Sequence, residues 1–565
     1  MITLLIGHRG CGKSSLLQRI KQYDPSVETI DLDRFIEEHE KKSIPDIFLS
    51  QGERGFRALE KKYLAQFLVQ ERTTSLYIAV GAGFEWQPTH GVRCLWVRRP
   101  TDPLGRILLD RPRLDINFSA RDQRYDAISY EELTIPEGCD RSNVWEENYF
   151  SHHLKDVGGV ITLLPKDFTH AYTWYWFIGR RLDWGIDAFE VRDDQLTLDQ
   201  IGRVSESIPT GKTLLSYRTS DPARRVSPKP GIRWDWDLTL GPCPYGTPSI
   251  LSLHERRGGE TVTATLARLA SEGRGKSFLK AAIEVFTFDE LGEGHTWMMQ
   301  DPERRVFLPR SSDGRWQWYR LLVKGTARLN FIREGTGSSP DQPYLMQWLR
   351  VPQKVKSFAA VLGDPVLHSR TPAVHETYFA SRGMPVFSIR VTEEEWKNGA
   401  LDVLQRLGLR YAAVTSPLKT LAGSRNTLVW DERKKEWCGT NTDLHGLQTA
   451  LKDVDLRGSV AVWGGAGMFP VLKTCLPEAS FYSARTGELK EGPPLDAPDL
   501  LVWASGRPGA LPPSSWRPKQ LFDLDYRQNS PGLDYAERHG IPYTSGLEMF
   551  ERQAEEQQVF WNQHR

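Results

Sequence analysis

Residues 2–14 read Ile-Thr-Leu-Leu-Ile-Gly-His-Arg-Gly-Cys-Gly-Lys-Ser. The apolar run at the start predicts a buried parallel strand, and the glycines after it predict a loop that leads into a helix. In that position the backbone N–H groups of the loop can surround phosphate groups, while a lysine neutralises their charge and a hydroxyl holds Mg²⁺. A glycine turn that only joins strand to helix is the alternative, and the adjacent lysine and serine argue against it. The predicted ATP-binding residues are Gly7, Gly10, Gly12, Lys13 and Ser14, the last of which also binds Mg²⁺.

The size and charge of the chain limit what it can be. Its 565 residues predict several domains, at roughly 100 to 200 residues per domain. Lysine and arginine (73) almost balance aspartate and glutamate (72), so no strong field attracts nucleic acid or an acidic membrane. The six cysteines lack the spacing of a zinc site or a disulfide framework, and no apolar run reaches membrane-spanning length. We predict a cytoplasmic protein that binds small molecules.

Three α/β segments follow one another along the chain. Residues 1–157 alternate apolar strands with helical patterns such as 53–69, which predicts a doubly wound P-loop domain. Residues 158–350 repeat a strand and helix unit, which predicts a (β/α)8 barrel. Residues 351–565 contain further α/β units and a second glycine-rich turn at 464–467. This pattern predicts a two-lobed α/β domain with a Rossmann-type cofactor lobe.

Charged residues follow the phosphate loop in the first segment. Asp31 and Asp33 end the next predicted strand, where alternation of side chains puts both carboxylates on one side. One can hold a metal while the other takes a proton from an acceptor hydroxyl; two solvated acids are the alternative. Further motifs follow in order: Gly52-Glu53 with Phe56-Arg57 and Glu60, Gly81-Ala82-Gly83, Arg111-Pro112, and Arg121. Together with the phosphate loop, this order of motifs resembles shikimate kinase.

The resemblance to shikimate kinase implies a role for each of these residues. It implies that Asp31 joins Ser14 on Mg²⁺ and that Asp33 orients and deprotonates the shikimate hydroxyl. Arg111 belongs to the implied lid over ATP. The residues implied to contact shikimate are Arg57, Gly81, Gly83 and Arg121.

His254 and Lys280 end two predicted strands of the second segment. A lysine inside a barrel is desolvated, which lowers its pKa and frees the amine for Schiff-base chemistry. A lysine that reaches out to solvent is the alternative for a single lysine in an apolar run. Because the carboxyl ends of barrel strands meet at one mouth, we expect the imidazole and the amine to lie together.

These two residues and their neighbours resemble type I 3-dehydroquinate dehydratase. The resemblance implies that Lys280 forms an imine with the substrate ketone and that His254 moves the proton. The motif residues implied to hold the substrate are Glu190, Arg192, Arg218, Arg320, Ser338 and Gln342. Two departures stand out: residues 221–223 read Asp-Pro-Ala where the family has Glu-Gly-Gly, and the short segment after Lys280 predicts a reduced barrel helix.

The third segment places Lys419 in a Thr-Ser-Pro-Leu-Lys motif and Asp443 in a Gly-Thr-Asn-Thr-Asp motif. A lysine and an aspartate that converge can bind a reacting hydroxyl and pass a proton, whereas two separate surface charges are the alternative. With the His-Ser-Arg-Thr-Pro stretch at 368–372 and the Gly-Leu-Glu-Met stretch at 546–549, these motifs resemble shikimate dehydrogenase. The resemblance makes Lys419 and Asp443 the catalytic pair.

The same resemblance implies the remaining contacts of the third segment. The implied substrate-binding residues are Ser369, Thr371, Thr415, Asn426, Tyr526 and Gln553. The implied NADP(H)-binding residues are Gly465, Gly467 and Arg485, the last of which meets the 2′-phosphate. Met468 follows the glycines where the backbone should approach the pyrophosphate, and residues 504–509 replace a second family turn. These departures predict weakened binding of the dinucleotide.

The three implied activities are consecutive, and their order resembles the last three domains of the fungal pentafunctional arom polypeptide. We predict a multifunctional enzyme that converts 3-dehydroquinate to 3-dehydroshikimate, shikimate and shikimate 3-phosphate. Two alternatives stay open: a regulator resembling fungal quinate-pathway repressors, which senses these intermediates, and an enzyme with an inactive dehydrogenase domain. A signalling or transport ATPase explains none of the residues after 157. The predicted partners are these small molecules, without nucleic acid or membrane, and a homodimer is left open.

Overall fold

The computed structural model of the chain describes residues 2–23, 25–70, 72, 74–85, 89, 91–98, 118–129, 131–134, 155–168, 178–179, 181–273, 275, 277–334, 337–366, 371–415, 417–505, 511–525 and 530–564. These residues form an α/β protein with parallel sheets and divide into two compact units, the first ending at Val355 and the second beginning at Lys356. Across these ranges, no helix combines the length and the apolar character needed to cross a membrane.

The first unit begins with a five-stranded parallel sheet in the order β2-β3-β1-β4-β5. All five residues of β1 are buried, because this strand lies between two others and is covered on both faces. The strands are β1 (Ile2–Ile6), β2 (Glu28–Asp31), β3 (Leu76–Ala79), β4 (Val92–Arg98) and β5 (Glu131–Thr134). The helices are α1 (Lys13–Tyr23), α2 (Leu32–Glu40), α3 (Ile44–Leu68) and α4 (Phe118–Ile128).

Helix α3 is longer than the sequence pattern predicted, and it bends at Gly52. This residue has φ 66° and ψ 178°, which glycine adopts without the steric cost that a side chain brings. The part of the helix after the bend packs Phe56, Tyr63 and Leu64 into the core. Arg57 and Glu60 lie on the same part, so the bend sets the direction in which they leave the helix.

The second sheet of the first unit has eight parallel strands in the order β12-β11-β10-β9-β8-β7-β6-β13. Within this sheet, the last strand in sequence, β13, pairs with the first, β6. The strands are β6 (Val160–Thr162), β7 (Ala188–Arg192), β8 (Thr213–Tyr217), β9 (Arg233–Asp237), β10 (Ile250–Leu253), β11 (Phe278–Ala281), β12 (Arg305–Phe307) and β13 (Phe331–Ile332). The helices are α5 (Leu198–Ser207), α6 (Val262–Glu272), α7 (Phe288–Met299), α8 (Gln317–Leu322) and α9 (Leu345–Arg350).

The connections of this sheet differ from the sequence prediction at one place. A reduced helix was predicted after Lys280, and this is wrong, because α7 follows with 12 residues. Two of the fully described connections lack an α-helix: the one between β9 and β10, with the 3-10 turn Leu238–Leu240, and the one between β8 and β9, with the 3-10 turn Pro222–Arg224. Two residues stabilise the turn between β8 and β9. Pro222 restricts the backbone at its start, and the Asp221 side chain caps it by accepting from the N–H of Ala223.

The second unit contains two sheets. The first has the order β15-β14-β16-β17-β18, with parallel pairing as far as β16 and an antiparallel hairpin after it. Its strands are β14 (Phe358–Gly363), β15 (Val386–Arg390), β16 (Leu409–Val414), β17 (Thr427–Asp431) and β18 (Glu436–Thr440). Its helices are α10 (Thr371–Ala380), α11 (Glu393–Lys397), α12 (Ala400–Arg406), α13 (Leu418–Leu421) and α14 (Asp443–Ala450).

The other sheet of the second unit has the order β21-β20-β19-β22-β23-β24 and is parallel except for the edge strand β21. The chain moves one way from β19 to β20 and the other way to β22, which creates a crevice where parallel α/β sheets bind ligands. The strands are β19 (Val460–Gly464), β20 (Ser480–Tyr482), β21 (Leu489–Glu491), β22 (Leu500–Ala504), β23 (Gln520–Asp523) and β24 (Tyr543–Ser545). The helices are α15 (Phe469–Cys475), α16 (Pro531–His539) and α17 (Leu547–Gln563).

Candidate active sites

The phosphate loop lies between β1 and α1, and its glycines are needed for its path. Gly7 has φ 146°, and a Cβ atom there would lie 2.4 Å from the carbonyl oxygen of Val97. The other two predicted glycines of the loop also have positive φ. The Lys13 ammonium donates to the carbonyl oxygens of Gly7 at 2.8 Å and His8 at 2.9 Å. The lysine is therefore folded over its own loop, next to the N–H groups that would hold phosphate.

The two predicted acids line the same cavity as this loop, which has a volume of about 780 Å³. Asp31 ends β2 and caps α2, accepting from the N–H of Arg34 at 3.4 Å. Asp33 lies in the first turn of α2, so the prediction that it continues the strand is wrong. Burial raises the pKa of Asp33, and the nearby Asp31 raises it further. Its buried Oδ1 has no hydrogen-bond partner among the described residues, which leaves it free for a ligand.

The predicted arginines meet the glycine turn after β3. Arg57 pairs with Glu60 and donates to Glu53 at 3.1 Å and to the carbonyl oxygen of Ala82 at 3.1 Å. A Cβ atom at Gly83 would lie 2.8 Å from Nη2 of Arg57 and 3.0 Å from Nη2 of Arg121. Two guanidinium groups thus converge on one turn, as a carboxylate ligand requires.

Gly81 is the other predicted glycine of this turn. A Cβ atom there would lie 2.7 Å from Oε1 of Glu60 and 3.1 Å from Oδ1 of Asp33. Glu60 is fully buried, and burial raises its pKa while Arg57 lowers it. The sequence motif contained Glu60, but its spacing gave no reason to expect a buried acid next to Asp33. The predicted lid residue Arg111 lies outside the described residues.

Tyr125 connects the two halves of this site, and the sequence analysis gave it no role. Its hydroxyl accepts from the N–H of Gly83 at 3.1 Å and donates to the carbonyl oxygen of Gly7 at 3.3 Å. Its ring lies 5.1 Å from the ring of His8, edge to face. The phosphate loop and the glycine turn are therefore held by one side chain, four residues after Arg121 on α4.

The second cavity, which we call the Lys280 cavity, has a volume of about 330 Å³. It lies at the carboxyl ends of the strands of the eight-stranded sheet. All eight site residues predicted for this segment line it: Glu190, Arg192, Arg218, His254, Lys280, Arg320, Ser338 and Gln342. Residues far apart in sequence thus meet in one place.

Lys280 is only 2% exposed, so the prediction that it lies inside the fold is confirmed over the alternative of a solvent-reaching side chain. Its ammonium lies 2.8 Å from Oδ2 of Asp235 and 3.9 Å from Oε1 of Glu190. Burial lowers the pKa of Lys280, and Asp235 acts against that shift. Asp235 also pairs with Arg218, and these cations hold the pKa of the Asp235 carboxyl below its ordinary value despite burial.

His254 lies at the same cavity, as predicted, and its Nδ1 is 2.7 Å from Oδ2 of Asp237. Burial lowers the pKa of His254 to about 4, Arg218 adds to this shift, and Asp237 opposes it. The imidazole is therefore neutral near neutral pH. A neutral imidazole in a cavity with a buried lysine can accept a proton.

The remaining polar groups of the Lys280 cavity form a connected set. Glu190 accepts from the hydroxyls of Thr162 at 2.7 Å and Ser216 at 2.9 Å. Burial acts to raise the pKa of Glu190, but Lys280 and the arginines outweigh it and lower the pKa. Gln342 donates to the Ser338 hydroxyl at 2.9 Å.

The arginines of this cavity are not equivalent. Arg192 is bound to Asp194 through two hydrogen bonds of 2.9 and 2.6 Å. Arg320 donates to the carbonyl oxygen of Pro309, and burial lowers its pKa to about 10. Arg310 also lines the cavity and was missed. The cavity is rich in guanidinium groups and suits an anionic, hydroxylated ligand.

In the second unit, Lys419 and Asp443 meet as predicted. The Lys419 ammonium lies 2.7 Å from Oδ2 of Asp443, and Nδ2 of Asn426 donates to Oδ1 of the same carboxylate at 2.8 Å. Gln557, which the sequence analysis did not single out, donates to the carbonyl oxygen of Asn426 at 3.4 Å. Both oxygens of Asp443 are thus held, and the ammonium is fixed beside it.

The other predicted residues of this segment are spread over several elements. Thr371 begins α10, and Thr415 follows β16, where its N–H donates to the carbonyl oxygen of Leu362 at 2.9 Å. Gln553 lies on α17 and packs against α14. A Cβ atom at Gly446, which lies on α14, would be 3.1 Å from the Cβ of Gln553. Ser369 and Tyr526 lie outside the described residues.

The predicted cofactor turn follows β19 at the crevice of the last sheet. Gly464 and Gly465 have φ 90° and 81°, and a Cβ atom at Gly465 would lie 2.7 Å from the Cβ of Ala504. Gly467 is exposed on the 3-10 turn Ala466–Met468. The Met468 side chain is partly buried and packs against the apolar core of this lobe.

Arg485 is exposed and follows β20. The preceding residue, Ala484, lies close to the glycine turn, since a Cβ atom at Gly464 would be 3.1 Å from the Cβ of Ala484. Helix α15 after the turn has seven residues, with Pro470 in its first turn. These positions fit a dinucleotide at the crevice.

The chain is similar to known proteins over parts of its length. Residues 9–93 match the family model of shikimate kinase. The chain is 43% identical over 65 residues to shikimate kinase from Staphylococcus epidermidis, covering 12% of this chain and 38% of that protein. It is 36% identical over 132 residues to shikimate dehydrogenase (NADP(+)) from Methanosarcina mazei, covering 20% of this chain and 46% of that protein. The chain therefore spans less than half the length of these curated relatives.

The chain is also 17% identical in sequence to a solved structure of dehydroquinate dehydratase and shikimate dehydrogenase from S. pombe AroM. That match covers 73% of this chain and 97% of the solved chain, with a TM-score of 0.27. The sequence comparisons give similarity to shikimate kinase within residues 9–93 and similarity to shikimate dehydrogenases over part of the chain.

Proposed function

We propose that this chain is a multifunctional enzyme that converts 3-dehydroquinate to 3-dehydroshikimate, shikimate and shikimate 3-phosphate. Phosphorylation is assigned to residues 1–157, dehydration to residues 158–350 as a (β/α)8 barrel, and reduction to residues 351–565. The observation that supports this most is the Lys280 cavity, where seven other predicted residues converge around the buried lysine. A structural role alone does not require that convergence.

In the proposed kinase domain, Asp33 takes the proton of the shikimate hydroxyl as phosphoryl transfer proceeds. The raised pKa and the free Oδ1 of Asp33 suit that step. Arg57 and Arg121 would bind the shikimate carboxylate at the glycine turn. Ser14 and Asp31 line the same cavity and offer the oxygen ligands that Mg²⁺ prefers, with phosphate and water as its other ligands. Mg²⁺, when bound, neutralises phosphate charge.

In the proposed dehydratase domain, the Lys280 amine attacks the substrate ketone, and water leaves as the imine forms. Neutral His254 then takes a proton from the carbon next to the imine and returns it to the hydroxyl on the following carbon, which leaves as water. Hydrolysis of the imine releases the product and restores the amine. The arginines of the cavity would hold the carboxylate throughout.

In the proposed dehydrogenase domain, Lys419 and Asp443 bind the reacting oxygen of the substrate and move its proton. Gly465, Gly467 and Arg485 would hold NADP(H) at the crevice beside β19. That cofactor supplies or accepts the hydride when bound. The ammonium and the carboxylate lie 2.7 Å apart, close enough for one substrate hydroxyl to contact both.

A regulator that binds these intermediates without converting them is the second candidate. The observation that favours it is the dinucleotide turn, which leads into a seven-residue helix with Pro470 near its start. An enzyme with two active domains and an inactive dehydrogenase domain would share this feature. Separate assays of the three reactions on the full chain distinguish these candidates, because a regulator fails all three and the mixed enzyme fails one.

A further inference from the structure

Strand β9 carries two buried acids that the sequence analysis passed over. Its five residues read Arg-Trp-Asp-Trp-Asp, and side chains alternate along a strand, so Asp235 and Asp237 share one face while the two tryptophans take the other. The acids are 0% and 4% exposed. Buried carboxylates need partners, so this face must present cations or donors to them.

Each acid is paired with one of the two residues proposed to do the chemistry of the Lys280 cavity. Asp235 lies 2.8 Å from the Lys280 ammonium, and Asp237 lies 2.7 Å from Nδ1 of His254. The parallel register of β9 and β10 places Asp237 beside Ser252, two residues before His254. Strand β9 therefore places one carboxylate, that of Asp235, beside the Lys280 amine and the other, that of Asp237, beside the His254 imidazole.

We propose that Asp237 is the positioning residue of His254: it keeps the proton on Nδ1, so that Nε2 is the base of the dehydration. This inference rests on the proposed dehydratase function. Asp237 itself is fixed, because its Oδ1 accepts from the N–H of Thr239 at 3.0 Å and from the Thr239 hydroxyl at 2.9 Å. Its Oδ2 is thereby turned to the imidazole.

The rest of the surroundings supports the same assignment. Within the part of the chain that the structure describes, no hydrogen bond reaches Nε2 of His254, so this nitrogen is open to a ligand. The acid at the place of the family's missing glutamate, Asp221, is exposed and caps its own turn through the N–H of Ala223. Asp237 is the carboxylate that contacts the imidazole.

The charges around His254 explain why the tautomer needs fixing. Burial lowers the pKa of His254, Arg218 and Lys280 lower it further, and Asp237 raises it. The imidazole is therefore neutral and has two possible tautomers. A carboxylate accepts only, so it selects the Nδ1–H form, while an asparagine amide in its place can donate to Nδ1 and move the proton to Nε2.

The test compares Asp237→Asn with Asp235→Asn as the matched control on the same strand. Full chain is mixed with 3-dehydroquinate and borohydride, which reduces the imine to a stable amine, and turnover is measured in parallel. Asp237→Asn is expected to keep the Lys280 adduct and lose turnover by roughly 10² to 10⁴, the usual worth of proton transfer by a positioned group. Asp235→Asn is expected to lose the adduct as well. Asp237→Glu should recover part of the turnover of Asp237→Asn.

Two results for Asp237→Asn overturn the inference. Normal turnover would show that Asp237 does not position His254. Equal loss of the Lys280 adduct and of turnover would indicate a structural role. A parent protein with neither adduct nor turnover contradicts the proposed dehydratase itself. The tautomer is then read directly from imidazole ¹⁵N shifts, with His254→Gln for assignment. An Nδ1–H signal in the parent that is lost in Asp237→Asn supports the positioning role, and an Nε2–H signal in the parent overturns it.

Discussion

The Lys280 ammonium lies 2.8 Å from the Asp235 carboxylate, and both side chains are almost fully buried. The ion pair compensates the cost of burying each charge, while burial lowers the pKa of the lysine. An amine held in this way loses its proton more readily than a lysine in water, which is what attack on a ketone requires.

Borohydride trapping should therefore mark Lys280. We expect one adduct with 3-dehydroquinate, mapped by mass spectrometry to the peptide that contains β11. The chain offers an internal control in Lys324, which is also buried and whose pKa burial lowers to about 8. That ammonium donates to the carbonyl oxygens of Trp348 and Val351 and should stay unmodified. An adduct on Lys324 would show that burial alone, without the cavity, controls reactivity.

Replacement of Lys13 by methionine should remove phosphorylation of shikimate and leave the other two reactions unchanged. The loss should be roughly a hundredfold or more, because a preorganised donor to the transition state disappears. Lys62→Met is the control, since that lysine is 59% exposed and pairs only loosely with Glu40 at 3.8 Å. Equal losses in both variants would indicate unfolding of the domain. Unimpaired phosphorylation in Lys13→Met would remove the loop from the reaction.

Tyr125→Phe should weaken the use of both kinase substrates. The hydroxyl holds Gly7 and Gly83 together, and each hydrogen bond is worth about 1 kcal/mol. We expect kcat/KM to fall several-fold to about tenfold for ATP and for shikimate alike. Tyr77→Phe, on β3, serves as the control. A fall for one substrate only would mean that Tyr125 does not connect the two halves.

The stability of the second unit should decrease as pH rises towards neutrality. Asp523 is fully buried, and burial raises its pKa to about 7, so the folded state favours the protonated carboxyl. The contribution is complete below the ordinary aspartate pKa and is lost as pH rises through 7. Hydrogen exchange of the peptide that contains β23 should be slower at about pH 5 than at about pH 8 after correction for intrinsic rates.

Asp523→Asn should remove most of that pH dependence, because an amide does not titrate. Asp499→Asn is the matched control: this aspartate pairs with Lys519 and its pKa is lowered to about 2, so it stays charged throughout. The same pH dependence in Asp523→Asn as in the parent would assign the effect to another group.

Arg485 should give the dinucleotide site its preference for NADPH over NADH. Its exposed guanidinium can pair with a 2′-phosphate through two hydrogen bonds. Loss of such a contact is worth about 1.5 to 3 kcal/mol, roughly tenfold to a hundredfold in affinity. Titration of both dinucleotides against the parent and Arg485→Ala measures this difference. Equal affinities in the parent would exclude Arg485 from the site.

The sequence predicted best where chemistry depends on local spacing. The phosphate loop needs consecutive N–H groups after a strand, and the loop between β1 and α1 has that context. Lys419 and Asp443 were expected to meet, and they lie 2.7 Å apart. The phosphate loop follows a strand of a parallel sheet, whereas Lys419 and Asp443 follow β16 and β18 of a sheet whose last two strands pair in antiparallel fashion.

Prediction failed where a contact depends on tertiary packing. Asp33 was placed on a strand, but Asp31 caps α2 and the chain turns into a helix at that point. Asp237 was missed because its partner, His254, lies on the neighbouring strand and the register between them is not visible in sequence.

The most direct test incubates the full chain with 3-dehydroquinate, NADPH, ATP and Mg²⁺ and follows each intermediate by mass spectrometry. The proposed function predicts that 3-dehydroshikimate, shikimate and shikimate 3-phosphate appear in that order, with consumption of one NADPH and one ATP per product. Unchanged 3-dehydroquinate, in a protein that calorimetry shows to bind it, would contradict the enzyme and indicate the regulator.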